Sequence, residues 1–189
     1  MAAMTKESAI AGYVIDAGIS RFTVRGFAGG LLSGLGHNPV VAIHDFTGDA
    51  YWDPGEPTHA SLRLKISAAS LAVQNDISDK DRREMERVMR DEVLETGSYP
   101  EIIFESSAVS TNPHGRVEID GNLTLHGVTR RERLSAQLAL TGDTLRAFGD
   151  FSIRQTDYRI RLASVAGGVL KLKDELKLNF DIVARKRTE

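Results

Sequence analysis

Cysteine is absent from the 189 residues, which removes thiol nucleophiles, thiolate metal ligands and disulfides from consideration. A chain of this length can bury a core large enough to stand without such staples. Charge of one sign is missing too. The 24 Lys and Arg against 26 Asp and Glu leave a formal net charge of -2 with no long basic or acidic run, so the electrostatic footprint of a nucleic-acid binder is lacking. Long apolar runs are equally scarce. The N-terminus MAAMTKESAIAGYVID has no sustained apolar stretch, because Gly12 interrupts the weak run and Asp16 ends it; no secretory leader is expected. Residues 26–43 form the longest uncharged stretch, but glycines, His37, Asn38 and Pro39 break it, and it would make a poor membrane helix. There is no internal repeat and no low-complexity segment. The expectation is a single soluble, cytoplasmic domain over 1–189, with 1–11 as a loose tail, no nucleic-acid partner and no membrane span.

What the sequence has in quantity is alternation with period two. Leu62, Leu64 and Ile66 share one face, as do Val117, Ile119, Leu123 and Leu125, then Leu134, Ala136, Leu138 and Leu140. Leu145, Ala147, Phe151 and Ile153 follow, and Leu176, Leu178, Phe180 and Ile182 close the series. Each set opposes polar neighbours, the mark of a half-buried strand. Turn residues separate them at Asn112-Pro113-His114-Gly115, His126-Gly127 and Thr141-Gly142-Asp143. Residues 13–16, 19–27, 40–46 and 49–52 also read as extended. The result is an all-β chain of about eight strands, antiparallel because the links are short, and closed into a barrel because closure removes exposed edges.

One segment departs from this rule. ISDKDRREMERVMRDEVLETGSYP reads as a helix over about 79–95, with Ser78 as its cap and Asp79 and Asp81 in the first turn. Met85, Val88, Met89 and Glu92 trace one stripe, while Arg82, Arg83, Glu86 and Arg90 face water. The helix is expected to cover a barrel end, and its methionines suit an apolar opening of variable shape.

Reactive constellations are hard to find. His37 lies beside glycines, but Leu31 stands where the first glycine of a G-x-S-x-G elbow around Ser33 belongs. Pro39 occupies the last glycine position of a dinucleotide fingerprint begun by Gly34 and Gly36. The histidines at 37, 44, 59, 114 and 126 contain no zinc-binding pair, and His44 and Asp45, as strand neighbours, point to opposite faces. No catalytic residue, metal site or required cofactor is expected. The inward faces mix bulky residues with Gly121, Ala136, Ala147 and Gly149, and an eight-stranded barrel can be filled by side chains or hold one small ligand.

The order of several motifs resembles the YceI-like polyisoprenoid-binding family over residues 13–185. These are YVIDAGISRFTV, GLGHN, FTGDAYWDP, the acid-and-base helix running into YPEIIFESS, GNLTLHGVTR, IRQTDYRI and KDELKLNFDIVARK. Tyr158-Arg159 stand where the family usually shows Phe-Gly. The resemblance implies an extended lipocalin-like barrel whose apolar channel holds a polyisoprenoid, quinone or fatty acid, with no catalytic residues. Under that implication the channel lining is expected to be Phe22, Leu62, Leu64, Phe104, Leu123, Leu125, Leu138, Phe151, Leu178 and Phe180. Leu32, His37, Asn38, Met85 and Met89 are placed at the rim or the ligand's head group. Two other readings of the same residues are a filled-core barrel acting as an interaction or stress-response module and a small-molecule enzyme using His37. A homodimer is compatible with the pattern.

Overall fold

The computed structural model describes residues 10–29, 38–162, 164–165 and 170–188. Its strands are β1 (Ala11–Ile15), β2 (Arg21–Arg25), β3 (Ala28–Gly29), β4 (Val40–Ile43), β5 (Phe46–Trp52), β6 (Ser61–Ser67) and β7 (Leu71–Val73). After helix α1 (Asp79–Val88) come β8 (Glu101–Thr111), β9 (Val117–Leu125), β10 (Val128–Thr141), β11 (Thr144–Arg154), β12 (Ser164–Val165), β13 (Leu170–Leu172) and β14 (Glu175–Lys186). Eight strands close an antiparallel barrel in the order β1-β5-β6-β8-β9-β10-β11-β14, with β14 returning to β1.

The barrel is longer on one side than closure requires. Strand β14 pairs with β1 through Ala184, Arg185 and Lys186, and with β2 through residues 177–181. The chain passes from β1 to β2 at Asp16–Ser20, and the ladder is kept across the step. Asp16 N–H donates to the Val183 carbonyl (2.9 Å), while the Ser20 hydroxyl donates to the Asp16 carbonyl (2.7 Å) and accepts from Val183 N–H (2.9 Å). Strands β4 and β5 bend likewise at His44-Asp45, and β6 and β7 at Ala68–Ser70. Three bent strands thus carry a small extension, β2-β4-β7, beyond the closed ring.

That extension would end on an open edge, a standing template for unwanted pairing. Helix α1 covers it with side chains. Glu86 accepts from Val73 N–H at 3.0 Å, and the Arg82 guanidinium donates to the carbonyls of Val73 and Asn75. Ser78 caps the helix as expected, accepting from Asp81 N–H at 3.1 Å. The α-helix stops at Val88, and a wider π-turn over Met89–Val93 completes the element, so the expected 79–95 helix is two geometries. The expectation that Arg82 and Glu86 face water is corrected: both are half-buried and serve the β7 edge.

The outer wall carries cross-strand ion pairs such as Arg133–Asp120 (2.8 Å) and Arg63–Glu105 (3.1 Å), each worth little alone in water. The predicted inward parity holds on the strands read by alternation except at the end of β10, where Leu140, expected inward, is exposed; β9 alternates between buried and more exposed residues along most of its length. Hairpin geometry follows the predicted turns, with left-handed backbone at His126 (φ 50°), Gly127 (φ 70°) and Gly142 (φ 56°).

Candidate functional site

The inward faces do not meet. They enclose a cavity of about 800 Å³ that runs along the barrel interior and beneath α1. Its wall is built from alternate residues of β6, β8, β9, β11 and β14, with β2 and β4 extending it. Exposure values record the void directly. Leu62, Ala147, Phe151, Phe180 and Ile182 point inward, yet all are only half-buried, whereas a filled core would seal them.

Glycine does not create this space. A Cβ at Gly121 would collide with the Phe104 ring, and one at Gly149 would come within 2.9 Å of Phe180 Cζ. Each ring lies over a glycine of the neighbouring strand, so the two large side chains are folded back against the wall. Phe180 also stacks near Phe22 at 6.5 Å and tilts against Phe151 at 6.4 Å. The rings leave the axis of the barrel open.

Nine of the ten residues expected to line the channel border this cavity: Phe22, Leu62, Leu64, Phe104, Leu123, Leu125, Phe151, Leu178 and Phe180. Leu138 does not. It faces inward and packs on the core, but it lies past Ala136, the last β10 residue paired with β9. There β10 has lost its β9 neighbour, and the cavity is bordered instead by Ala147 and Leu145 of β11. Met85 and Met89 border the cavity from the helix, together with Val88 and Val93. Asn38 is exposed and borders nothing; its Oδ1 accepts from Ala28 N–H (3.0 Å) and its carbonyl from Asn75 Nδ2 (2.9 Å), which ties two loops together. The expected rim residues Leu32 and His37 lie outside the described residues.

Polar side chains on the described wall are few. Glu84, Arg87 and Glu92 stand at the helix, exposed and paired with one another, Arg87 lying 2.8 Å from Glu84 and 3.0 Å from Glu92. This pairing, chiefly the hydrogen bond to Arg87, holds the Glu84 carboxyl below the usual range. Asn75 is half-buried and accepts from Val40 N–H (2.8 Å). Gln155 is buried, at 3% exposure. Alternation read as far as Ile153 missed it, although the same period carried two residues further puts Gln155 on the inward face. Also missed were Ile160 and Leu172, which follow a turn where no periodic signal exists.

A second polar cluster lies outside the cavity. Tyr158 is fully buried and donates to Glu132 Oε1 at 2.6 Å. Burial first, then this hydrogen bond, pushes its hydroxyl well above the ordinary tyrosine range. His126 stands against the Tyr99 ring at 4.4 Å, with its Nδ1 3.2 Å from the Tyr158 carbonyl. Among the described residues no group of three or more His, Asp or Glu side chains is gathered for a metal ion. No described helix is long and apolar enough to cross a membrane.

Comparison with known proteins places this architecture. The model of the YceI-like domain family matches residues 13–184. A UPF0312 protein of Shewanella oneidensis is 28% identical over 155 residues, covering 72% of this chain and 78% of its own. Among solved structures, Burkholderia cenocepacia BcnA superposes with a TM-score of 0.71 at 19% identity, over 89% of this chain and 98% of its own. A polyisoprenoid binding domain from Saccharophagus degradans superposes with a TM-score of 0.62 at 14% identity, over 95% of this chain and all of its own.

Proposed function

Because the chain belongs to the YceI-like domain family over residues 13–184, we propose that it binds a long-chain amphiphilic lipid of isoprenoid type in the barrel cavity. On this reading it carries or stores that lipid without changing it chemically. The observation that carries the reading is the cavity itself: about 800 Å³ walled almost wholly by hydrocarbon. A cavity of this size falls in the range of small-molecule sites, roughly 300 to 1,000 Å³. At roughly 30 Å³ per heavy atom, the share of one water in the liquid, it takes on the order of 25 atoms. That is a chain of about five isoprene units. The relative from Saccharophagus degradans, named as a polyisoprenoid binding domain, supports the same ligand class.

Energetics agree with a chain rather than a compact ligand. Each buried methylene contributes about 0.8 kcal/mol, so the roughly twenty carbons of a four-unit chain, which such a cavity takes whole, gain roughly 16 kcal/mol in the gross. Lost translation, rotation and chain freedom offset on the order of half of this. The remainder corresponds to a Kd near a micromolar. Affinity then rises with chain length and depends weakly on which apolar carbons are present. A filled-core interaction module is disfavoured by the void. The test is native mass spectrometry of freshly purified protein, followed by solvent extraction. An adduct that extracts as an isoprenoid or similar long-chain lipid is expected. A protein that stays ligand-free after incubation with geranylgeraniol, quinones and fatty acids would refute the proposal.

A further inference from the structure

Gln155 is the one buried polar side chain on the described cavity wall. Its orientation is set by chemistry. Its Nε2 donates to the Lys173 carbonyl at 2.9 Å, and a carbonyl can only accept, so the amide cannot be turned over without placing two oxygens together. Oε1 is therefore held away from Lys173. The side-chain hydrogen bond this amide makes is the one donated by Nε2, and the residue, 3% exposed, stands on the cavity wall.

The amide is also firmly mounted. Gln155 N–H donates to the Asp174 carbonyl (2.9 Å), and Ile160 N–H to the Gln155 carbonyl (3.1 Å). Next to it, Asp174 accepts from Thr156 N–H (2.9 Å) and from the Thr156 hydroxyl (2.7 Å). These bonds, led by the one from Thr156 N–H, hold the Asp174 carboxyl below its usual range. Lys173 N–H in turn donates to the Phe27 carbonyl at 2.8 Å. The wall residues beside Gln155 in chain and register are Ile153, Ile160, Leu172 and Leu176. They offer a water molecule no second side-chain partner, and a buried water normally needs two to four.

We propose that Gln155 Oε1 selects lipids whose polar end carries a hydrogen-bond donor, an alcohol, hydroquinone or primary amide, over otherwise equal chains that only accept. This rests on the reading of the cavity as a lipid site and adds the chemistry of the ligand's head. A donor satisfies an acceptor that is otherwise left bare in an apolar wall, and an ether or quinone oxygen at the same place meets it lone pair to lone pair. Sites that pair a buried polar group with a ligand hydroxyl discriminate against analogues lacking it for this reason.

The experiment compares geranylgeraniol with its methyl ether on the delipidated protein and on Gln155→Met. The wild-type protein is expected to bind the alcohol about tenfold more tightly than the ether. In Gln155→Met the two ligands converge, the alcohol weakening to the level of the ether while the ether keeps its affinity. Equal binding of both by the wild type overturns the role of Gln155 and leaves the lipid site standing. A preference that survives in Gln155→Met overturns it as well, placing the acceptor elsewhere. Binding of neither overturns both readings together. The wild-type comparison stands alone should the variant not fold.

Discussion

Replacing Ala147 with Phe separates an open cavity from a filled core by the sign of the stability change. Ala147 sits mid-strand on β11, between Leu138 and Ile182 of the flanking strands, and borders the void. The substitution adds six carbons, roughly 180 Å³ at the liquid-water share, or about a fifth of the 800 Å³. In an open cavity the ring gains part of the 1.5 to 3 kcal/mol available to a buried Phe, about 1 kcal/mol or more net of ordering. In a filled core the same ring costs about 1 to 3 kcal/mol through overpacking. The lost volume also equals about one isoprene unit. Binding of the five-unit alcohol geranylfarnesol should weaken by roughly 30-fold, since about 2 kcal/mol of net burial is forfeited, whereas the shorter geranylgeraniol keeps its affinity. Urea unfolding of delipidated protein, with an unchanged m value, gives the stability, and calorimetric titration the two affinities. A variant that is destabilised by more than about 1 kcal/mol, or that still binds the longer alcohol as the wild type does, would sink the argument.

Three further outcomes follow from local geometry. Arg159 holds left-handed backbone (φ 58°) at the end of the Gln155–Tyr158 turn, a conformation costing most residues about 1 to 2 kcal/mol. After allowance for glycine's greater freedom when unfolded, Arg159→Gly should raise the urea midpoint by about 0.5 to 1 kcal/mol in stability; a drop would show that the arginine side chain outweighs the strain. Tyr158→Phe should cost about 1 to 2 kcal/mol by leaving Glu132 without its buried donor. Because the hydroxyl titrates higher in the folded than in the unfolded chain, its contribution is complete below about pH 10 and fades as pH rises beyond that, so the variant should lose less stability than the wild type between neutral and strongly alkaline solution. Parallel slopes would refute it. Glu86→Ala should speed hydrogen exchange at the Val73 amide by roughly fivefold, for the loss of about 1 kcal/mol at the β7 edge; unchanged protection there would show that the edge needs no cap.

Most of the barrel was legible because its strands each have one wet face, and period two survives wherever that is so. It failed where a strand bends. Leu71–Val73 is three residues long, too short for a period to show, and 40–46, read as one extended segment, holds the bend between β4 and β5. Arg82 and Glu86 look solvated from their charge alone, because a sequence contains no neighbouring sheet edge. Leu138 illustrates the converse: its parity is right, but parity says which way a side chain points and nothing about where β9 stops pairing. The glycines were ambiguous for a related reason. A small inward residue can leave a hole or receive a neighbour, and only the cross-strand register, Gly121 beside Ser106 and Gly149 opposite Phe180, decides for the neighbour. Placement of nine lining residues therefore came from local pattern, while the void between them came from two aromatic rings lying flat against the wall.

The extension of the barrel supports the proposal of a chain-like ligand. Eight strands alone give an interior that side chains nearly fill. Bending three strands past the closed ring adds Val24, Val41 and Val73 to the cavity wall and so extends the enclosed space on one side. The same bend exposes the β7 edge, which α1 must satisfy with Arg82 and Glu86. Once the helix is placed there, the adjoining stripe of Met85, Val88 and Met89 closes the side of the cavity. Edge protection and closure of the cavity thus fall to adjoining stripes of α1 and the π-turn that continues it. Substitutions on its Arg82–Glu86 face should loosen the fold and the ligand together, whereas substitutions on the barrel wall, such as Ala147→Phe, should change the ligand while the fold holds.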